Sequence, residues 1–409
     1  MARLRDNGRG PILASKLRGE HVGERRAGIV TSRVAICAVA QTKYEADKWD
    51  VRMQGMVWEV VKQVRAQTGL DFGDDGIEAA VTVSDDVFDA RTISDSAVTD
   101  VVGAHFRGEE KVASDGAQGV YYAVATILSG KHDVVLLAGH CKESQAASRN
   151  MVTHLAFDPF FTRPVGLDYL AAAALQADAY MRKTGVTEDQ LADVVVRSRQ
   201  WAAKNPVARD ATPLTRDDVL ASPMLADPIR ESFMYPITDG AVAMILASEE
   251  RARDITDRPV WVTGLGNCYD SFFLGERDLA GNFALERAAA RAYCMAGIKN
   301  PVTAFDVVEL CDQCAHQMPQ WAEGLGLCAA GGGAVWLAEG GPDCHSVNRS
   351  GGMLAGNPLM LGGMARVAEA VLQLRGDAGA RQAQGAKRAL AHGCCGPAGQ
   401  LQVAVVLEA

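Results

Sequence analysis

The stretch "GAQGVYYAVATILSGKHDVVLLAGH", residues 116–140, is the most informative part of the sequence for the fold. Residues 116–128 would place apolar side chains on almost every face of a helix, which predicts a helix that is buried on all sides. Ser129 and Gly130 would end that helix. The apolar, β-branched run that follows is typical of a buried strand. The stretch therefore predicts a helix and a strand in the interior of an α/β protein.

Similar segments lie on both sides of this stretch, and after residue 258 their order begins again. Continuous apolar strands that alternate with helices predict mixed or parallel sheets covered by helices. In the first part we predict strands in "RVAICAVAQT" (33–42) and "GAVAMILAS" (240–248), a helix that ends at Gly69, and a helix that starts with the capping box of Thr187 and Gln190. In the second part we predict helices in "NFALERAAARAYCMAG" and "GMARVAEAVLQLRG" and strands in "AFDVVEL" and "LQVAVVLEA".

The predicted domain organisation is two similar α/β halves, 33–250 and 258–409, each with its own mixed sheet. The first half includes a long excursion, residues 150–239, whose polar, proline-containing end we expect on the substrate side. Residues 1–32 differ from the rest because the first thirty hold seven Lys or Arg against three Asp or Glu and show no sustained period. We interpret them as a basic arm.

Composition limits the class of protein. The chain has 409 residues, of which 22% are charged and 48% hydrophobic, as in a soluble globular protein. The net charge of -9 argues against general binding to nucleic acid or to an anionic membrane. Ten cysteines in a chain of this size, with no signal-peptide pattern, favour a reducing cytoplasm over a disulfide-rich secreted protein.

Four stretches together resemble the thiolase superfamily, and most of all its sterol-carrier-protein-type and steroid-side-chain aldolase branch. They are "ASDGAQGVYYAVATILSGKHDVVLLAG", "DVLASPMLADPIRESFMYPITDGAVAMILAS", "DVVELCDQCAHQMPQWAEGLGLC" and "VNRSGGMLAGNPLMLGGMARVAEAVLQLRG". The resemblance implies two pseudo-repeated α/β halves in a five-layered αβαβα sandwich, usually dimeric. It covers about residues 33–409.

The first loop of the family carries a nucleophilic Cys at the start of a buried helix. The corresponding position here is Ala113, which has no nucleophilic atom, so the resemblance implies that the usual acyl-cysteine intermediate is absent. Ser114 and Asp115 follow directly and lie where the substrate would bind. Asp115 is either the N-cap of the helix or a carboxylate base in the pocket.

The second loop reads "CDQC", which places Cys311 at a family histidine position and Cys314 at an aromatic one. A C-x-x-C pair is also found in zinc and redox sites, but no second pair is suitably spaced, so we predict no metal in this chain. Cys311 is either a pocket residue or part of an inert core.

The third loop has Gly356-Asn357-Pro358 where the family has Gly-His-Pro. The Asn357 amide can donate a hydrogen bond to an oxyanion but cannot act as an acid or base. The alternative is that Asn357 only satisfies the backbone of its loop.

The fourth loop has Cys394-Cys395-Gly396, which preserves the family's Cys-x-Gly if Cys394 is the first member. A thiol there would act as an acid or base. Tyr235, in "FMYPITDG", falls where the family loop approaches the acyl pocket, as either a substrate contact or a core residue.

These residues imply an enzyme that acts on acyl-CoA thioesters, with coenzyme A entering as part of the substrate. Retro-aldol cleavage of a carbon–carbon bond needs a base, for which the candidates are Asp115, Cys311 and Cys394, and an enolate donor, for which Asn357 is the candidate. Two alternatives stay open: a thiolase whose catalytic thiol is Cys311 or Cys394, and a catalytically silent subunit of a thiolase complex. The resemblance also implies a homodimer and a possible small zinc-ribbon/OB-fold partner.

Overall fold

A computed structural model describes residues 33–146, 148–339 and 346–409, which belong to one compact unit. The predicted arm, residues 1–32, lies outside the described residues. The strands are β1 Val34–Gln41, β2 Ala79–Val83, β3 Glu109–Val112, β4 Val134–Lys142, β5 Met224–Ala226, β6 Ile229–Arg230, β7 Asp239–Ser248, β8 Val260–Tyr269, β9 Val307–Glu309, β10 Arg388–Cys395 and β11 Leu401–Glu408. The α-helices are α1 Met53–Thr68, α2 Gly116–Leu128, α3 Arg149–His154, α4 Tyr169–Thr184, α5 Glu188–Ala202, α6 Arg216–Leu220, α7 Glu249–Ile255, α8 Phe283–Ala296, α9 Gln317–Gly324, α10 Gly333–Ala338 and α11 Gly362–Arg375.

The large sheet has the strand order β3-β2-β4-β7-β1-β8-β11-β10-β9. The first five strands come from the first half of the chain and the last four from the second half. A parallel bridge from Val308 to Val347 adds the counterpart of β3 beside β9, so the order of the first half is repeated in the second. We expected a separate sheet in each half. Instead, β1 and β8 pair antiparallel over three residues each, because both edge strands lie where the halves meet.

The layers follow from what each helix contacts. Helix α1 packs on β1, β4 and β7, and α8 packs on β8 and β11, each on the outer side of its half. Helices α2 and α11 contact each other and the strands of both halves, so they form the middle layer. The five-layered αβαβα architecture predicted from the family resemblance is therefore confirmed.

Helix α2 departs from the prediction that it is buried on every side. Seven of its residues are buried, among them Gly116, Val120 and Ile127. Tyr122, however, is 39% exposed and Ala125 is also exposed. The reason is its place beside the outer strands β2 and β3, where the described residues supply no layer to cover that face.

The excursion 150–239 contains several helices and the short β5–β6 pair rather than a loop alone. Its capping box is confirmed, since the Gln190 backbone N–H donates to Thr187 Oγ1 and the Thr187 N–H donates to Gln190 Oε1. Of the helices that the structure describes, none has the length and apolar character needed to span a bilayer.

Candidate functional site

The site begins at the turn between β3 and α2. Ala113 is exposed and presents only a methyl group, while Ser114 and Asp115 are buried. The Ser114 side chain hydrogen-bonds to the Cys395 thiol, which links this turn to the end of β10. The first position of the turn therefore offers no nucleophile, and the next two residues face the interior.

Asp115 binds the amino ends of both middle-layer helices. Its Oδ1 accepts from the Ala117 N–H at 2.8 Å, and its Oδ2 accepts from the Gly363 N–H at 2.9 Å. Glycine is required opposite it, because a Cβ at Gly363 or Gly393 would lie 2.1 or 2.0 Å from Oδ1. Asp115 is thus the N-cap of α2 and, in addition, the contact that holds α11 against α2.

The same carboxyl group has a perturbed pKa. Burial raises the pKa of Asp115 to about 7, although the N–H donors and the Arg366 charge act in the opposite direction. At neutral pH the group is therefore present in both protonated and ionised forms, as a general base or acid requires.

A small cavity of about 10 Å³ lies next to Asp115. It is lined by Phe88, Asp115, Tyr169, Gln313, Leu359, Met360, Cys394, Cys395 and Gly396. An apolar cluster includes part of this lining and continues behind it, and we call it the wall cluster. Its buried members are Phe88, Cys141, Tyr235, Cys311, Met353, Leu359, Met360 and Cys394. The fold thus brings Asp115, Cys394 and Gly396 to the cavity, and Cys311 and Tyr235 into the adjoining wall cluster.

The cysteines near the cavity are held as thiols. A hydrogen bond with Cys311, together with burial, raises the pKa of Cys394 well above its ordinary value. Burial raises the pKa of Cys395 and of Cys314 to about 12. Because the thiolate is the reactive form, none of these three groups is an activated nucleophile at neutral pH.

The second-loop cysteines are core residues by position. The Cys311 Sγ lies 3.2 Å from the Met353 Sδ, and both Cys311 and Cys314 are buried. Among the residues that the structure describes, no three His, Cys, Asp or Glu side chains are arranged to hold a metal ion.

Asn357 is turned away from the cavity. Its Oδ1 accepts a hydrogen bond from the Arg366 guanidinium, and its Nδ2 donates to the Gly356 carbonyl at 3.0 Å. Gly356 lies against the Arg209 side chain, and neither Gly356 nor Asn357 is among the cavity-lining residues. This geometry agrees with the alternative that Asn357 satisfies the backbone of its loop. Asn357 also binds the buried Arg366 cation, which the sequence did not reveal.

Three side chains of the site were missed from sequence. Gln313, whose Nε2 donates to the Cys394 carbonyl at 3.3 Å, and Tyr169 line the cavity. Arg366, 1% exposed, lies behind it. The charged pair Arg366 and Glu369, one turn apart in the otherwise apolar segment "GGMARVAEAV", was a usable signal for Arg366. Gln313 and Tyr169 had no comparable signal.

Two buried histidines near the site are structural. Burial lowers the pKa of His316 to about 3 and that of His392 to about 4, so both are neutral. The His316 Nε2 lies 3.1 Å from Gln176 Oε1. His392 accepts from the Cys311 N–H and bonds to Gln402, which ties the second loop to the last strand.

Comparison with known proteins bears on this arrangement. Residues 268–409 match the family described as thiolase C-terminal domain-like. The chain is 31% identical to an acetyl-CoA acetyltransferase of Methanothermobacter thermautotrophicus, over 90% of this chain and 98% of that protein. It is 29% identical to the benzoylsuccinyl-CoA thiolase subunit BbsB of Thauera aromatica, over 65% of this chain and 70% of that one.

A solved structure shows the same fold. The Ltp2-ChsH2(DUF35) aldolase superposes with a TM-score of 0.78 at 23% identity, covering 92% of this chain and 98% of that chain. The 31% identical relative confirms the family resemblance seen in the sequence over 90% of this chain. This chain belongs to the thiolase superfamily.

Proposed function

We propose that the protein acts on acyl-CoA thioesters and cleaves a carbon–carbon bond by a retro-aldol step, without a covalent acyl-enzyme. The observation that carries this proposal is Asp115, a cavity-lining carboxyl group whose pKa is raised to about 7 by burial. Ala113, two residues earlier, offers no nucleophilic atom. A group that titrates near neutral pH is suited to proton transfer, so acid–base chemistry is favoured over acyl transfer.

In the proposed step, the Asp115 carboxylate removes the proton of the substrate's β-hydroxyl group. The β-oxygen then forms a carbonyl, the Cα–Cβ bond breaks, and its electron pair enters the enolate of the departing thioester. The Asp115 carboxyl group returns the proton to Cα of that enolate. The enolate oxygen needs a hydrogen-bond donor. The Gln313 amide lies in the cavity wall and fits this need, while Asn357 as donor stays a prediction.

A thiolase with a relocated thiol is less well supported. The raised pKa of Cys394 leaves little thiolate at neutral pH, and Cys311 is fully buried behind the cavity. A silent subunit remains the other candidate. It is favoured by the small size of the cavity, since about 10 Å³ has room for only about one water molecule.

A hetero-complex is compatible with the retro-aldol reaction and with the thiolase reaction. One relative is named as a thiolase subunit, and the solved aldolase is a complex of Ltp2 with ChsH2(DUF35). We therefore extend the proposal to a small zinc-ribbon/OB-fold partner and to a homodimer of this chain. Sedimentation of the purified chain would contradict the homodimer if only a monomer were found.

The test uses 3-hydroxyacyl-CoA thioesters of several chain lengths and measures the release of shorter acyl-CoA. We expect Asp115→Asn to lower kcat by roughly 10²–10³-fold, as for loss of a general base. Asp168→Asn is the matched control, because Asp168 caps α4 through the Ala171 N–H and Asn is an equally good N-cap. Intact mass spectrometry should detect no acyl adduct.

Two results would contradict the proposal. An acyl group found on Ser114, Cys311 or Cys394 would restore a covalent acyltransferase. No turnover by the purified chain or by its complex, at any chain length, would favour the silent subunit.

A further inference from the structure

Tyr235 carries an unpartnered hydroxyl group within the wall cluster, which shares four buried residues with the cavity lining. The residue is 2% exposed and belongs to the wall cluster, whose other members are apolar or sulfur-containing apart from the neighbouring Tyr169. The Tyr235 hydroxyl has no hydrogen-bond partner among the residues that the structure describes. No other oxygen or nitrogen atom of a wall-cluster side chain is in that condition within the described part of the chain.

The surrounding contacts hold the phenol in this position. The Tyr235 N–H donates to the Gln313 carbonyl at 2.8 Å, and its carbonyl accepts from Arg149 Nη1 at 2.9 Å. The Arg149 guanidinium carbon lies 4.0 Å from the centre of the Tyr235 ring. Arg149 is itself fixed by two hydrogen bonds to the buried carboxylate of Glu143, at 2.6 and 3.1 Å. The backbone hydrogen bonds fix the main chain at Tyr235, and the ring cannot turn to another acceptor without losing its contact with Arg149.

An unpartnered buried hydroxyl group is unfavourable, since folding removes its water and returns no hydrogen bond. Burial also raises the pKa of Tyr235 well above its ordinary value, so the group stays a protonated donor at neutral pH. Of the groups that act on it electrostatically, Tyr169 lines the cavity. Phe88, Leu359, Met360 and Cys394 belong both to the wall cluster and to the cavity lining.

Building on the acyl-CoA site proposed above, we propose that the Tyr235 hydroxyl donates a hydrogen bond to an oxygen atom on the acyl chain of the substrate. Tyr235 is then a specificity-determining residue that makes the site prefer β-hydroxyacyl or β-ketoacyl groups to unsubstituted acyl groups of the same length. A site with a buried donor discriminates strongly against a ligand that lacks the matching oxygen, because the donor then remains unpaired.

The test compares Tyr235→Phe with the wild-type protein in two measurements. The first is thermal unfolding of the free protein. Because the variant removes a polar atom that has no partner, its Tm should be unchanged or higher than that of the wild type. Tyr293→Phe is the matched control: the Tyr293 hydroxyl is buried and donates to the Leu325 carbonyl at 2.8 Å, so its removal should lower Tm.

The second measurement is calorimetric binding of 3-hydroxybutyryl-CoA against butyryl-CoA, and of the corresponding eight-carbon pair. For wild type we expect tighter binding of the hydroxylated thioester in each pair. In Tyr235→Phe the Kd of the hydroxylated thioester should rise about tenfold, while that of the unsubstituted thioester stays the same. Tyr293→Phe should preserve the wild-type ratio.

The outcomes separate this inference from the proposed reaction. Equal weakening of both thioesters, no weakening of either, or a lowered Tm for Tyr235→Phe would overturn the role of Tyr235. Binding of no thioester by the wild type would overturn both proposals. If the selectivity is found but no lyase turnover occurs, the assignment of Tyr235 stands and the retro-aldol reaction falls.

Discussion

At the scale of single residues, Asn357 accepts a hydrogen bond from a buried cation. Arg366 is 1% exposed and donates to Asn357 Oδ1, and its Nη1 lies 3.4 Å from a Glu309 carboxylate oxygen. The amide therefore satisfies one N–H donor of this buried cation. Removal of this amide should therefore affect the stability of the fold and not only its loop.

We now predict that Asn357→Ala lowers the free energy of unfolding by about 1–3 kcal/mol, because it leaves the buried guanidinium with one acceptor fewer. Asn357→Asp is the informative companion variant. A carboxylate keeps an acceptor for Arg366 but has no N–H to donate to an enolate. Denaturant unfolding and kcat are to be measured for both variants.

Restored stability with lost activity in the Asp variant would support Asn357 as the oxyanion donor. Restored stability together with restored activity would limit Asn357 to binding Arg366. Wild-type stability in the Ala variant would contradict the role assigned here to the Arg366 contact.

At the scale of elements, the close packing of α2 on α11 depends on glycine. Both helices begin at the Asp115 carboxylate, and the space around its Oδ1 is available only because residues 363 and 393 have no side chain. Apolar periodicity predicted both helices. The shared carboxylate between them did not follow from either segment alone.

Gly363→Ala should therefore destabilise the protein by about 1–3 kcal/mol or more, the usual range for an overpacked core. Its Cβ would lie 2.1 Å from Asp115 Oδ1 and 2.6 Å from the Ala117 Cβ. Gly55→Ala is the control, since Gly55 is an exposed residue of α1 whose nearest neighbour would be 3.3 Å away. There we expect a gain of up to about 1 kcal/mol from helix propensity.

Urea unfolding of the two variants checks the difference. Similar effects of both substitutions, in either direction, would show that the close approach at Asp115 does not limit the packing of α2 on α11.

At the scale of the whole molecule, the buried Arg366 cation interacts electrostatically with three buried carboxyl groups from different parts of the chain. Burial raises the pKa of Asp115, Glu309 and Asp312 to about 7, and the Arg366 charge opposes this rise at each of them. Asp115 follows β3, Glu309 lies within β9 and Asp312 follows β9. The cluster therefore forms only when the two halves are assembled. The pH dependence of stability therefore reports on the assembled middle of the protein.

The free energy of unfolding should fall as pH rises from about 5 to about 8. Over that interval the folded protein retains protons that the unfolded chain has already released, so raising the pH favours unfolding. Each group contributes at most about 1.4 kcal/mol per pH unit. Asp312→Asn should reduce the slope, because it removes one titrating group; chemical unfolding at several pH values measures it.

Asp218→Asn provides the control for this experiment. Hydrogen bonds from Thr215 hold the pKa of exposed Asp218 below its ordinary value, so its titration lies outside the interval. A slope that is unchanged in Asp312→Asn would contradict the raised pKa of Asp312.

The sequence by itself determined the class of elements, their order and their repetition. Helix periodicity, apolar strands and capping residues are local properties, so α1, α5, α11 and the last strand could be recognised from the residues within them. Motif order also identified the superfamily, and the absence of a thiol at Ala113 was visible from position alone.

Only the tertiary structure decided what the motif residues contact. Asp115 and Gly363 are 248 residues apart in the chain, and Tyr235 is fixed by Arg149, 86 residues before it. Side-chain partners across such separations depend on the packing of layers, which no local pattern encodes. For the same reason the exposed face of α2, the cavity wall with Gln313 and Tyr169, and the turn of Asn357 toward Arg366 became apparent only in the folded chain.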